Sequence, residues 1–134
     1  MKKLFLLGIT VAMLAVSSCK KDCPTPAVVE PPVDLSASSW SGPCTINGIN
    51  YTFTLALAAD GTISGGFNVP SFTIASGSWN KTPNSNIVRI FFIQSGNAWK
   101  GQGTYNATTN KIEVGTLTQT SGGSFTGTFT VTKV

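Results

Sequence analysis

The chain has 134 residues, a formal net charge of +4, five acidic residues and no histidine. Without histidine it lacks the usual general base, the Ser-His catalytic arrangement and the commonest metal ligand. Its nine basic residues are scattered rather than gathered into the patch or stripe that nucleic-acid binding requires. We therefore predict that the protein is not an enzyme, and we expect no cofactor, no metal site and no nucleic-acid partner.

Residues 1–18 have the pattern of an export signal. Lys2 and Lys3 precede an apolar run over residues 4–16, which is shorter than the about 20 residues that a transmembrane helix needs. Residues 16–19, Val-Ser-Ser-Cys, resemble the lipobox of bacterial lipoproteins. The resemblance implies that Cys19 becomes the new N-terminus and carries acyl chains such as palmitate. The alternative is an ordinary cleaved secretion signal.

Residues 19–35 are predicted to form a lipidated tether, because four prolines among small and polar residues favour an extended chain without a core. Lys20 follows the lipidation site. Lipoproteins that are retained in the inner membrane commonly have Asp there, so the resemblance implies the outer membrane, at its periplasmic face or the cell surface. Once residues 1–18 are removed, seven basic and five acidic side chains remain, and the net charge falls to +2.

Two cysteines remain after Cys19 is lipidated. Cys23 lies in the tether and Cys44 near the start of the domain that follows. An exported protein occupies a compartment that permits disulfides, so a Cys23–Cys44 bridge is one interpretation. Two free thiols are the other.

The third predicted region, residues 36–134, shows no helical periodicity. Its β-branched and aromatic residues alternate with Thr, Ser and Gly between frequent turn signals, which is typical of short strands. Eight strands are predicted, over residues 38–45, 50–58, 62–68, 72–79, 87–94, 98–106, 111–118 and 124–133. The short connections favour antiparallel neighbours, because parallel strands need crossovers of a dozen residues or more.

The alternation assigns a buried face to individual strands. Tyr51, Phe53, Leu55 and Leu57 share one face of the second strand, and Phe125, Phe129 and Val131 are expected to share the core face of the last strand. Eight antiparallel strands in about 100 residues are best closed as an up-and-down barrel, since closure removes exposed edges. The alternative fold is a two-sheet β-sandwich.

Three segments resemble, in order and spacing, the hairpins of avidin-like barrels within the lipocalin and avidin group. They are residues 59–67, residues 77–79 and residues 98–102. The resemblance implies the same barrel architecture. Among the biotin-lining positions of that family, it carries over only Trp99.

A barrel of eight strands is wide enough either to hold one small ligand or to be filled by its own side chains. The first hypothesis is a non-catalytic binding module for a small apolar or sugar-like ligand. The aromatic residues predicted to line its mouth are Trp40, Tyr51, Trp79, Trp99 and Tyr105. The second hypothesis is a filled barrel that binds an envelope protein or inhibits an enzyme. Inward glycines, such as Gly101 and Gly103, would leave a cavity or make room for neighbouring side chains.

Two further features of the sequence are candidate sites. Asp60 and Glu113 are the only acidic residues beyond the tether, and a hairpin turn and a solvated strand explain them better than a catalytic pair does. The predicted fifth strand is apolar on both faces. Its outer face is expected to combine Ile87, Arg89, Phe91 and Ile93, which predicts self-association or docking of a partner unless a loop or the tether covers it.

Overall fold

The computed structural model describes residues 34–68 and 71–134. They form eight β-strands, within three residues of the predicted bounds at every end. The strands are β1 (Ser38–Ile46), β2 (Ile49–Leu57), β3 (Ile63–Asn68), β4 (Phe72–Lys81), β5 (Ile87–Gln94), β6 (Asn97–Asn106), β7 (Lys111–Gln119) and β8 (Thr126–Lys133).

The strands close into an up-and-down barrel. Each pairs antiparallel with its neighbour in sequence, and β8 returns to pair with β1 from Trp40↔Lys133 to Ile46↔Gly127. The predicted barrel is thus confirmed, and the sandwich alternative is excluded because no sheet edge is left to separate two layers. The part of the chain described here contains no helix long and apolar enough to cross a membrane.

Alternation along the strands sends every second side chain inward. In β2, Phe53, Leu55 and Leu57 are buried and Tyr51 is half-buried, as the sequence predicted. The middle of the barrel is filled by aromatic rings. The rings of Phe53 and Phe67 stack with centroids 4.5 Å apart, and Phe129 meets Phe53 edge-on at 5.6 Å. Such pairs add about 0.5–1.5 kcal/mol each beyond the burial of their surface.

The inward glycines make room for neighbouring side chains. A Cβ on Gly101 would lie 2.8 Å from Leu117 Cδ2, and one on Gly103 would lie 2.6 Å from Ile112 Cγ2. A Cβ on Gly115 would lie 2.5 Å from the ring of Phe129. Neighbouring side chains therefore fill the space beside these glycines. Of the two alternatives that the sequence left open, the structure supports room for neighbouring side chains and not a cavity.

The last strand begins later than predicted. It starts at Thr126, and Phe125 precedes it with 48% of its surface exposed. Phe129 and Val131 are buried as expected, but the assignment of Phe125 to the core face was wrong. The reason is that the chain is still in the β7–β8 connection at Phe125, so the alternation of β8 does not yet apply to it.

Candidate functional site: a cavity at the mouth of the barrel

The two ends of the barrel differ. At one end, which we call the mouth, lie the turns β1–β2, β3–β4, β5–β6 and β7–β8, and at the other, which we call the closed end, lie the remaining turns and both ends of the described chain. The mouth holds a cavity of about 270 Å³. Its lining consists of Ile46, Asn47, Ile49, Tyr51, Phe67, Phe72, Gln94, Ser95, Asn97, Trp99, Gln119 and Phe125.

Five of the twelve described lining residues of this cavity are aromatic. Tyr51 meets Phe67 edge-on at 5.9 Å. Trp99 stacks on Phe92 at 6.1 Å, with only 7° between the ring planes. Because Phe92 and Phe67 are buried in the filled middle of the barrel, the cavity stops at this layer. An aromatic wall above a packed floor suits a small and largely apolar occupant.

Two polar atoms of the lining are buried and have no hydrogen-bond partner among the described residues. They are Nε1 of Trp99 and Oε1 of Gln119. Trp99 is 4% exposed and Gln119 5% exposed. An unpaired buried donor or acceptor costs about 1–3 kcal/mol, and each one in a native fold calls for an explanation. Both of these residues line the same cavity.

The β7–β8 connection, residues 120–125, covers one side of the mouth. Thr120 donates its N–H to the carbonyl of Ala98 at 2.7 Å, and the hydroxyl oxygen of Ser121 accepts from the N–H of Ala98 at 2.9 Å. The Nε2 group of Gln119 donates to the carbonyl of Ser121 at 2.8 Å. These bonds hold the connection against β6, while Phe125 at its end lines the cavity and remains half exposed.

The closed end is plugged. Leu35 is buried there beneath the first strand, and its carbonyl accepts a hydrogen bond from the hydroxyl of Ser38. Trp40 donates from Nε1 to the oxygen of that hydroxyl at 2.8 Å and meets Tyr105 edge-on at 5.9 Å. The hydroxyl of Tyr105 donates to Asn110 Oδ1 at 3.2 Å. The polar groups of Ser38, Trp40 and Tyr105 therefore all have hydrogen-bond partners within the protein.

The five aromatic residues predicted to share a ligand site are therefore divided. Tyr51 and Trp99 line the mouth cavity. Trp40 and Tyr105 lie in the plug of the closed end. Trp79, half-buried, lines a separate shallow surface at that same end and donates from Nε1 to the carbonyl of Ala58 at 2.9 Å. The structure brings only the first two together.

Several residues of the cavity were not found by sequence reasoning. Gln94 and Gln119 are the last residues of β5 and β7, and both side chains point inward. A polar residue at an inward position after an alternating run is a weak sequence signal for a barrel end that water can reach. Asn97 begins β6 beside them. Phe125 was missed because it was assigned to the last strand.

The outer face of β5 carries an apolar surface. Phe91 is 44% exposed and Ile93 is 36% exposed, while Arg89 between the apolar residues donates to Thr82 Oγ1 at 2.8 Å. Ile87 is half-buried. Arg89, Phe91 and Lys100 also line a shallow groove on this side of the barrel. The predicted outward set is thus on one face, although Ile87 contributes less of it.

The cysteines fall in different parts of the chain. Cys19 and Cys23 lie outside the described residues, so their predicted lipidation and bridge stay predictions. Cys44 points into the core and is 1% exposed. Burial raises the pKa of its thiol to about 12. A bridge from Cys23 would have to enter the barrel to reach it.

The two acidic residues of the domain lie outside the mouth cavity. Asp60 accepts hydrogen bonds from the hydroxyl of Thr62 at 2.7 Å and from its N–H at 2.9 Å, and these bonds lower the pKa of the carboxyl. Glu113 accepts from Thr109 Oγ1 at 3.1 Å. The β2–β3 turn that carries Asp60 and the strand β7 that carries Glu113 are separated around the barrel by β8 and β1. Within residues 34–68 and 71–134, no cluster of three or more His, Cys, Asp or Glu residues could hold a metal ion.

Comparison of the chain with protein-family models, with curated proteins and with solved structures gave no match. The resemblance of three segments to avidin-like hairpins therefore stays a prediction at the level of the family, and the barrel itself rests on the structure.

Proposed function

We propose that this chain is an outer-membrane lipoprotein, anchored through Cys19, whose barrel is a non-catalytic binding module. The ligand is small, apolar or sugar-like, and it enters at the mouth. The observation that carries this proposal is the cavity of about 270 Å³ above a packed aromatic floor, at the end of the barrel where Trp99 and Gln119 keep unpaired buried groups. A barrel that served only as a rigid spacer would gain stability by filling that space.

The binding role is tested by native mass spectrometry of the protein purified from its own membrane. We expect a small molecule to co-purify with the wild type. The variant Asn97→Trp replaces a residue of the cavity lining with a large side chain that fills the cavity. We expect it to abolish the adduct. The matched control is Asn80→Trp, on the exposed face of β4. Equal occupancy in both variants, or no adduct and no binding of any small ring compound, would contradict the proposal.

The anchoring role is tested independently of the ligand. Metabolic labelling with a palmitate analogue is expected to mark the wild type and to leave Cys19→Ala unlabelled. The variant should also be lost from the outer-membrane fraction. Cys23→Ala serves as the control, since it changes a neighbouring cysteine without touching the lipobox. Labelling of Cys19→Ala at the wild-type level would disprove the anchor.

A second function is favoured by the exposed face of β5, where Phe91 and Ile93 form an apolar surface. Here the barrel would bind a protein of the envelope or a second copy of itself. The test replaces both residues with Ser and measures the oligomeric state and the captured partners. Unchanged assembly in the double variant would remove this candidate.

A further inference from the structure

Of the residues that the structure describes, twelve line the mouth cavity, and none of these twelve carries a charge. They are apolar, aromatic, amide or hydroxyl side chains. Burying an ionised group costs several kcal/mol or more unless a counter-charge or a set of hydrogen bonds compensates it. Because the lining within residues 34–68 and 71–134 contains no Lys, Arg, Asp or Glu, these residues offer no counter-charge to a ligand in the cavity. This argues for an electrically neutral ligand.

The tryptophans provide an internal comparison. Trp40 donates its indole N–H to Ser38 and Trp79 donates its own to Ala58. Trp99, the tryptophan in the cavity lining, has no acceptor among the described residues although its Nε1 is shielded from solvent. The fold therefore supplies acceptors to the two indoles at the closed end and leaves the indole N–H of Trp99, near the mouth, unpaired. A ligand atom with a lone pair is the natural partner for it.

Gln119 supplies the complementary group. Its Nε2 donates to the carbonyl of Ser121, and this bond identifies the amide nitrogen, since a carbonyl accepts only from a donor. The remaining atom, Oε1, is an acceptor without a partner. Two residues of the cavity lining thus carry one unpaired donor and one unpaired acceptor in otherwise largely apolar surroundings. Both atoms are shielded from solvent, so a ligand in the cavity reaches them when neighbouring groups shift.

The size of the cavity limits the ligand. An apolar cavity of roughly 150 Å³ holds one benzene molecule, so about 270 Å³ accommodates one ring with a short substituent. The backbone of Gly123 lies against the amide of Gln119, where a Cβ would be 3.0 Å from Oε1. A polar substituent reaches that atom when the connection 120–125 shifts, and the glycines Gly122 and Gly123 lower the steric cost of that shift.

We propose that the mouth cavity selects a neutral ring compound whose polar substituent both accepts a hydrogen bond from Trp99 Nε1 and donates one to Gln119 Oε1. A carboxamide or a hydroxyl has this chemistry. The inference rests on the proposed binding function and adds to it the chemical class of the ligand.

The test uses three probes of nearly the same size on the lipidated full-length protein in detergent. Benzamide carries a neutral donor and acceptor, benzoate is its charged analogue, and toluene has the ring without a polar group. We expect benzamide to bind at least tenfold more tightly than benzoate at pH 7, measured by ligand-observed NMR titration. Trp99→Phe keeps an aromatic ring but removes the N–H, and it should weaken benzamide binding about three- to tenfold while changing toluene binding by less than twofold.

Gln119→Met removes the acceptor. It should likewise weaken the binding of benzamide while changing the binding of toluene by less than twofold. The control is Trp79→Phe, the same chemical change at the closed end, which should alter neither affinity. If Trp99→Phe weakens toluene and benzamide equally, or if benzoate matches benzamide, the assigned ligand chemistry is wrong while the binding function survives. If none of the three probes binds to the wild type, the binding function itself fails.

Discussion

At the scale of single residues, Val114 has a backbone conformation that its side chain disfavours. Its φ is +51°, and it lies in a bulge of β7, where one extra residue separates the pairs Ile112↔Val131 and Gly115↔Phe129. A β-branched residue at positive φ is a genuine outlier. The side chain is 83% exposed, so packing does not compensate for the strain.

We therefore predict that Val114→Asn stabilises the barrel by about 1 kcal/mol, because Asn tolerates the left-handed region and the left-handed penalty is about 1–2 kcal/mol. Urea unfolding followed by circular dichroism measures the change. Val134→Asn is the matched control, since Val134 is equally exposed and has no positive φ. A loss of stability in Val114→Asn would show that the valine side chain has a role in the fold.

Cys44 gives a prediction about pH. Its thiol pKa rises from 9.0 in the unfolded chain to about 12 in the core because burial disfavours the thiolate. The favourable contribution of the neutral thiol is complete below pH 9 and is lost as the pH rises from 9 toward 12. The difference in unfolding free energy between wild type and Cys44→Ala should therefore shrink over that range.

A reactivity experiment checks the same burial. In a chain with Cys19 and Cys23 replaced by Ser, Cys44 is the only thiol. It should react with a thiol reagent at pH 8 only after denaturant unfolds the barrel, since the thiolate is the reactive form. Rapid labelling of the folded protein would contradict the placement of this side chain in the core.

At the scale of elements, the two faces of β5 lie in different environments, one in the barrel core and one at the surface. Phe92 is 0% exposed and packs against Trp99, whereas its neighbour Phe91 projects from the opposite face. Truncating a buried phenylalanine costs about 3–5 kcal/mol. We predict this loss for Phe92→Ala and a change within about 1 kcal/mol for Phe91→Ala in the monomer, both measured by urea unfolding. Comparable losses in the two variants would mean that the outer face of β5 is covered.

At the scale of the whole molecule, closure makes the mouth and the closed end parts of one cooperative unit. Every strand has two hydrogen-bonded neighbours, so a strand can detach from the barrel only if the hydrogen bonds to both neighbours break. We predict two-state unfolding. Trp40 reports on the closed end and Trp99 on the mouth, and variants that keep only one of these tryptophans isolate each signal.

In each single-tryptophan variant, the fluorescence midpoint should coincide with the midpoint from circular dichroism. If Trp99 changes its signal at lower denaturant concentration than the sheet does, the mouth opens before the barrel unfolds.

The strand pattern was readable from local sequence. Alternation such as that of Phe53, Leu55 and Leu57 has a period of two, which a strand and its turn residues impose without reference to distant parts of the chain. The turns at Asn47 and Asp60 likewise depend on local chemistry. This is why all eight strands and the barrel could be predicted, whereas Phe125, at a boundary where the alternation begins, could not be placed.

The tertiary structure decided which end of the barrel is open. Trp40 and Trp99 have the same side chain and both point inward. Leu35 and Ser38 pack beside Trp40 at the closed end, whereas a cavity remains beside Trp99, which stacks on Phe92, at the mouth. Whether an indole N–H finds a partner depends on residues that closure brings together from distant strands. Local sequence thus determined the alternation and the turns, because these depend on neighbouring residues, and only the closed barrel determined the cavity and its unpaired groups.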